Sequence, residues 1–180
     1  MRRCRLHLTG ASGTGTTSLA RVIASAWAVP HADADDYFWL PTSPPYTHKR
    51  PEAERLALME AVFVPRDAWV LSGSMLDWGD PVVAHCDAVV FLTLDPATRI
   101  ARIEERERVR RSGGSIDEES TAAFLTWARG YDDPDFDGRS RVRHDQWLAT
   151  LPCPVLHLDS AAPLEALRNQ VLSWEPLDPE

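Results

Sequence analysis

Short apolar runs alternate with stretches of helical periodicity along the chain. Residues 3–8 alternate polar and apolar side chains, which predicts a first strand. Apolar runs predict four more strands, at about 31–34, 69–74, 88–94 and 154–158. Apolar residues three and four positions apart predict helices at about 16–27, 51–64, 96–111, 116–130, 139–150 and 163–174. Because parallel strands need helical crossovers, this alternation predicts a three-layer α/β domain.

Composition narrows the class of protein. The 180 residues include 27 acids and 19 bases, for a net charge of -8. This size predicts one soluble domain over 1–180, and the acidic balance argues against nucleic-acid binding. No apolar stretch approaches the roughly 20 residues of a membrane span, and the short basic start is not a signal peptide. The separated cysteines Cys4, Cys86 and Cys153 indicate reduced thiols and a cytoplasmic location, and no CxxC or HExxH metal motif occurs.

A glycine-rich segment lies between the first predicted strand and the first predicted helix. The P-loop pattern G-x-x-x-x-G-K-[ST] is matched at seven of its eight positions, with Gly10, Gly15 and Thr17 in place and Thr16 where the lysine belongs. Backbone N–H groups of such a loop and the positive end of the following helix favour phosphate. The predicted phosphate-binding residues are Gly10, Ala11, Ser12, Gly13, Thr14, Gly15, Thr16, Thr17 and Ser18.

Two other interpretations of this loop stay open. Thr9–Gly13 resembles the start of the T-G-x-x-G-x-x-G turn of short-chain dehydrogenases, which would imply an NAD(P)-binding oxidoreductase. The third glycine of that pattern would fall on Thr16, and Lys49, the one lysine, does not complete a Tyr-x-x-x-Lys pair. A glycine turn without any ligand is the other alternative, although three glycines and five hydroxyl side chains in the nine residues 10–18 favour a binding loop.

The segments Gly10–Ala20, 35–39 and the arginine-rich helix after Asp95 together resemble P-loop small-molecule kinases. The sequence looks most like adenylate-kinase-like proteins, including DNA topology modulation proteins, and is similar to nicotinamide riboside and uridine kinases. The resemblance implies a five-stranded parallel sheet in a nucleoside-monophosphate-kinase-like P-loop fold with a mobile helical lid. It also implies ATP or another NTP as donor, and Mg²⁺. Some kinase-like relatives carry Gly-Thr-Thr in place of Gly-Lys-Ser/Thr, so Thr16 need not mean inactivity.

Acidic residues after the second predicted strand are candidates for chemistry. Asp35 and Asp36 are expected to end that strand, facing the glycine loop, where ligands bind in such sheets. Asp35 matches the first Asp of the related kinase motif, which implies a general base. Thr17 and Asp36 are the predicted Mg²⁺ residues, and Asp36 is also expected near the acceptor. The alternative is a turn or helix cap without chemistry.

The acceptor side is predicted from the segment that follows. Phe38 would stack on a planar acceptor, and Lys49 and Arg50 would recognise an anion at its edge. Residues 40–51 contain four prolines and predict an irregular loop. A core position under this proline-rich loop is an equally open interpretation for Phe38. For the basic pair, the alternative is a solvated surface.

The predicted lid spans approximately 104–138. Eight of ten residues at 102–111 are charged. Arg106 and Arg110 would close over phosphates and supply the charge missing at Thr16, with Gly113-Gly114 as hinge. A salt-bridged, exposed helix is the alternative.

These features predict a cytoplasmic kinase that moves the γ-phosphoryl of ATP to a small-molecule, nucleotide or nucleoside acceptor. A nucleotide-binding module without chemistry is the alternative, and an NAD(P) oxidoreductase is a third. The expected partners are a nucleotide and a small acceptor, and the chain is expected to be a monomer or homodimer.

Overall fold

One parallel sheet organises the chain, which a computed structural model describes over residues 1–112 and 118–176. Its five strands run in the order β2-β3-β1-β4-β5, and every pair is parallel. Their bounds are β1 Arg5–Gly10, β2 His31–Asp33, β3 Trp69–Ser72, β4 Ala88–Thr93 and β5 Val155–Asp159. The predicted fold class, a three-layer α/β domain with a five-stranded parallel sheet, is confirmed.

Eight helices are described, namely α1 Thr16–Trp27, α2 Ala34–Phe38, α3 Glu52–Val62, α4 Asp80–Val83, α5 Pro96–Ser112, α6 Glu118–Arg129, α7 Arg141–Leu148 and α8 Leu164–Ser173. The short helices α2 and α4 were not predicted, because four or five residues are too few to show a helical period. The predicted hinge at Gly113-Gly114 lies outside the described residues. Across 1–112 and 118–176, none of the helices has both the length and the apolar character that crossing a membrane requires.

Two apolar clusters sandwich the sheet. Leu19 and Ile23 of α1 pack with α8 against one face, and all of these positions are buried. Met59, Phe63 and Trp147 pack from α3 and α7 against the other face, which α4 also covers. The resulting three layers leave the carboxyl ends of the strands open, which is where open parallel sheets bind ligands.

The central strand leads directly into the glycine loop. β1 begins at Arg5 and ends at Gly10, which pairs with Leu92 of β4. The prediction of 3–8 was therefore placed two residues too early, because the loop's first glycine is still part of the ladder. β1 lies between β3 and β4, so the loop emerges at the middle of the sheet edge.

The acidic segment turns into a helix sooner than predicted. β2 ends at Asp33, and Asp35 and Asp36 occupy the first turn of α2 rather than the end of the strand. The reason is a helix cap: the Asp33 side chain accepts a hydrogen bond from the Asp35 backbone N–H at 3.2 Å. This cap turns the chain before a longer strand can form.

Candidate active site

Backbone groups of the glycine loop converge at the start of α1. Gly15 precedes the helix in a left-handed conformation, and no side chain caps the helix. Within the described residues, the backbone N–H groups of Thr16, Thr17 and Ser18 donate to no other protein group. Three free donors at the N-terminus of a 12-residue helix form an anion-binding position.

Two glycines of the loop are required for different reasons. A Cβ on Gly13 would lie 2.7 Å from the carbonyl oxygen of Arg99, so this glycine permits close packing against α5. A Cβ on Gly15 would meet nothing within 4 Å, although its φ of +87° disfavours any side chain. Gly15 therefore faces open space that a phosphate could enter, while Gly13 holds the loop in place.

The Thr17 hydroxyl is paired with a carboxylate. It donates a hydrogen bond to the Asp33 side chain at 2.9 Å. Asp36 had been predicted beside Thr17, but the structure brings Asp33 there because Asp33 is the last residue of β2. Two oxygen ligands at this distance fit Mg²⁺, which prefers oxygen and shares its shell with substrate phosphates. In the described part of the chain, no cluster of three His, Cys, Asp or Glu could hold a metal without such sharing.

The open carboxyl ends of the strands form a crevice beside the glycine loop. Asp35 lies just beyond the end of β2, at this crevice, and is exposed to solvent. Desolvation by the surrounding protein, followed by the charge of Asp33, raises the pKa of the Asp35 carboxyl, while Arg139 and Arg106 oppose the shift. The pKa of Asp36 is raised for the same two reasons. A raised pKa makes Asp35 a stronger base than an ordinary aspartate, which suits proton abstraction from a hydroxyl.

Arg139 was not predicted, and it reaches the loop from the segment before α7. Its guanidinium donates to the Ser12 hydroxyl at 2.7 Å and lies 4.9 Å from the Trp127 ring centre. Its Nε is buried and has no hydrogen-bond partner in the structure. Burial lowers the pKa of Arg139, and the charge of Asp35 partly offsets that effect. Ser12 and Arg139 are 127 positions apart, so no local pattern joins them.

The predicted lid arginines share one carboxylate. Arg106 and Arg110 donate to the same Glu107 oxygen, at 2.9 and 3.1 Å. The Glu107 side chain is only 3% exposed, whereas the two arginine side chains are 42% and 35% exposed. Arg110 also lies over the Tyr46 ring at 5.5 Å, which brings the end of α5 to the proline-rich loop. Arg106 is close enough to Asp35 to lower the pKa of that carboxyl, and one buried anion already neutralises part of the charge of both arginines.

The predicted acceptor residues form a group around Phe38. The Nζ of Lys49 lies 5.7 Å from the Phe38 ring centre, and Arg50 donates to the Tyr37 carbonyl at 3.0 Å. Trp39 and Lys49 form an antiparallel bridge that closes the base of the proline-rich loop. Phe38 is only partly buried, so it is both a core contact and a wall of this surface.

Arg55 of α3 belongs to this group but was missed from the sequence. It is 8% exposed, and its guanidinium carbon lies 3.9 Å from the Phe38 ring centre and 5.2 Å from that of Trp78. Its Nε donates to the Arg50 carbonyl at 2.6 Å. Among the described residues no carboxylate comes within 4.0 Å of this side chain. Burial lowers the pKa of Arg55.

Known proteins resemble this chain in sequence and in fold. "Uncharacterized protein YqaC" of Bacillus subtilis (strain 168) is 36% identical over 174 residues, covering 94% of this chain and 96% of that protein. A shikimate kinase from Acinetobacter baumannii, in complex with shikimate, has a TM-score of 0.58 at 16% identity, covering 94% of this chain and 91% of that one. A gluconokinase from Sinorhizobium meliloti 1021 has a TM-score of 0.55 at 19% identity, covering 96% and 92%. No protein-family model matches the sequence.

Proposed function

This chain belongs to the family of the Bacillus subtilis protein YqaC and has the adenylate-kinase-like fold of P-loop kinases, and from these two facts we propose that it is an NTP-dependent phosphotransferase. Its donor would be ATP or another nucleoside triphosphate, and its acceptor a small molecule with a hydroxyl group. One observation carries the proposal above the others. The free N–H groups at the start of α1 lie beside the Thr17–Asp33 pair, and the Asp35 carboxylate is close enough to Asp33 for the two charges to interact.

The reaction follows from this arrangement. An oxygen of the acceptor forms a bond to the γ-phosphorus, the bond from that phosphorus to the bridging β,γ oxygen breaks, and a nucleoside diphosphate leaves. Asp35 takes the proton of the attacking hydroxyl. The loop holds the β-phosphate by its backbone, and Thr17 would hold Mg²⁺, with Asp33 in support in place of the predicted Asp36. The ion would neutralise phosphate charge.

The acceptor surface favours an anionic molecule. Lys49, Arg50 and Arg55 have no ion-pair partner in the described part of the chain, although acidic residues outnumber basic ones overall. A buried guanidinium held between two aromatic rings is costly unless a ligand shares its charge. We therefore expect an acceptor that bears a carboxylate or a phosphate beside its hydroxyl.

Calorimetric titration with Mg–ATP, Mg–GTP and NAD(P) tests the donor side. The parent should bind a Mg–nucleotide. Gly15→Ala should weaken that binding at least tenfold, because its methyl group enters the open space beside the free N–H groups of α1. The matched control is Ala28→Gly at the opposite end of α1. Ala28 also has a positive φ, of +52°, so glycine there should relieve strain and leave binding unchanged. Equal nucleotide affinity in parent and Gly15→Ala, or preference for NAD(P), would reject the donor site.

Thr16 is the observation that favours a second candidate, a nucleotide-binding module without chemistry. Transfer of a labelled γ-phosphoryl group separates the two. The assay would offer hydroxylated carboxylates and phosphates beside their neutral analogues. Phosphorylation of an anionic acceptor supports the kinase, whereas tight nucleotide binding without transfer to any acceptor supports the module.

A further inference from the structure

The glycine loop lacks any charged side chain. All nine residues from Gly10 to Ser18 are glycine, alanine, serine or threonine, and position 16 carries no lysine. A nucleoside triphosphate brings about four negative charges, and free N–H groups supply only partial positive charge. In the proposed reaction negative charge also moves towards the bridging oxygen as the bond breaks. A cation from elsewhere in the fold therefore has to face this loop.

Arg139 is a cation at the glycine loop that has unused hydrogen-bond donors. Its one hydrogen bond to protein within the described residues goes to the neutral Ser12 hydroxyl, at 2.7 Å. No carboxylate of the described chain lies within 4.0 Å of it. A guanidinium has five N–H donors, and here the Nε is buried without an acceptor. A charged group with a buried, unused donor is unfavourable in the free protein and favourable once an anion binds.

The neighbouring arginines are already engaged. Arg99 also reaches Ser12, and its buried Nε likewise has no hydrogen-bond partner. Its other two nitrogens donate to the carbonyls of Ser12 and Ala128 and to the Asp132 carboxylate at 2.6 Å, and that carboxylate already neutralises its charge. Arg99 therefore fastens the loop to α6 and the turn that follows. Arg106 and Arg110 share the buried Glu107. Each would have to break an ion pair to reach the loop.

Arg139 also spans the two halves of the crevice. On one side it contacts Ser12, in the donor loop, and on the other its charge acts on Asp35, the proposed base. The transferred phosphoryl group has to pass between these two residues. Ser140 holds the backbone here, because its side chain caps α7 by accepting from the Arg143 N–H at 3.3 Å.

We propose that Arg139 replaces the missing P-loop lysine, by binding the β- and γ-phosphate oxygens of the donor from the segment before α7. The inference rests on the proposed function and assigns this role to a residue outside the predicted lid arginines. The planar guanidinium can contact two phosphate oxygens at once, whereas a lysine contacts them as a point charge. The loop can then do without charge at Thr16.

A double-mutant cycle between Arg139→Met and Thr16→Lys tests this. Binding of Mg–ATP and of inorganic pyrophosphate would be measured by calorimetry, with thermal unfolding to verify each fold. Arg139→Met should weaken binding of both probes about 10- to 100-fold, the range for losing a charge-assisted contact. In the Thr16→Lys background the same change should cost less than about threefold, because the new lysine supplies the charge. Arg139→Lys should fall between parent and Arg139→Met.

Arg5→Met is the matched control. Arg5 lies at the opposite end of β1 from the glycine loop and pairs with Asp87, so removing it should leave binding of both probes unchanged. A folded Arg139→Met that binds as tightly as the parent would overturn the inference. So would an Arg139→Met effect of the same size with and without the Thr16→Lys substitution. Neither result affects the proposed function, which instead fails if the parent binds neither probe.

Discussion

The donor side and the acceptor side of the crevice are built from different parts of the polypeptide. On the donor side, the glycine loop presents backbone N–H groups and is held by close packing, such as that of Gly13 against the Arg99 carbonyl. The acceptor side presents side chains. Within the described residues its cations, Lys49 and Arg55 among them, contact aromatic rings and form no ion pair with a carboxylate. A backbone site suits a ligand group common to all nucleotides. A side-chain site can change its specificity by substitution while the sheet stays the same.

Where the two sides meet, charge comes from distant segments. Asp35 belongs to the acceptor side and follows β2, whereas Arg139 precedes α7 and contacts the donor loop. Each influences the pKa of the other, which shows that they share one electrostatic environment. The chemical step should therefore depend on this junction more than on either side alone.

Asp35→Asn should have the largest effect. Removing a general base lowers turnover by about 10²- to 10⁴-fold, while Mg–nucleotide affinity should change less than threefold because Asp35 is not in the loop. The variant should also unfold at a slightly higher temperature. Desolvation by the surrounding protein and the charge of Asp33 raise the pKa of Asp35, so its charged form costs stability at neutral pH.

Single-turnover phosphoryl transfer and thermal unfolding measure both effects. In the parent, turnover should fall as the pH is lowered through this raised pKa, because a protonated carboxyl cannot accept the acceptor's proton. An Asp35→Asn variant that keeps more than a tenth of parental turnover would show that the base lies elsewhere.

Gly13→Ala should have the next largest effect, on stability. Its Cβ would lie 2.7 Å from a backbone oxygen and 2.9 Å from the Ile103 side chain, at a φ of +90°. Overpacking and strain together should cost about 2 to 4 kcal/mol in the free energy of unfolding. Gly15→Ala, with open space ahead of it, should cost only the strain of about 1 to 2 kcal/mol. Urea unfolding of both variants measures the difference, and equal losses would contradict the division between packing and binding glycines.

Arg55→Met should affect the acceptor side alone. If Arg55 binds the anionic group of the acceptor, KM for that acceptor should rise about 10- to 100-fold while Mg–nucleotide affinity is unchanged. Arg66→Met is the control, because Arg66 is exposed and, within the described residues, its side chain makes one hydrogen bond, to the Val62 carbonyl at the end of α3. Neutral acceptors that work as well as anionic ones, in the parent, would remove the basis for this assignment.

Locality decided what the sequence could predict. The glycine loop is nine contiguous residues with a fixed spacing, and the sheet follows from apolar runs, so both were visible in the pattern. Arg139 was not, because its contact with Ser12 crosses 127 positions. The sequence predicts Asp36 rather than Asp33 as the partner of Thr17. Sequence patterns do not place a strand end to one residue, and here the Asp33 side chain caps α2 and ends β2 early. Arg55 lies in an ordinary helix, and only packing shows that it is buried without a carboxylate.

The smallest expected effect concerns the polar network behind the acceptor side. His7 bonds to the Gly73 carbonyl at 2.8 Å, and His144 bonds to the Tyr131 hydroxyl at 2.9 Å. Burial lowers the pKa of His7 to about 4 and that of His144 to about 3. Gly73, whose Cβ would lie 2.8 Å from Ala34, connects this network to the start of α2.

These shifts make stability depend on pH in a definite direction. Unfolded histidine gains a proton near pH 6.5, whereas both folded imidazoles stay neutral until pH values near 4 and 3. Stability is therefore complete above about pH 6.5 and is lost as the pH falls, by about 1 kcal/mol per histidine between pH 7 and 5.5. His144→Gln should remove about half of this loss, and the exposed His85→Gln should remove none. Urea unfolding at the two pH values measures the loss, and an unchanged loss in His144→Gln would show that this imidazole is not held neutral.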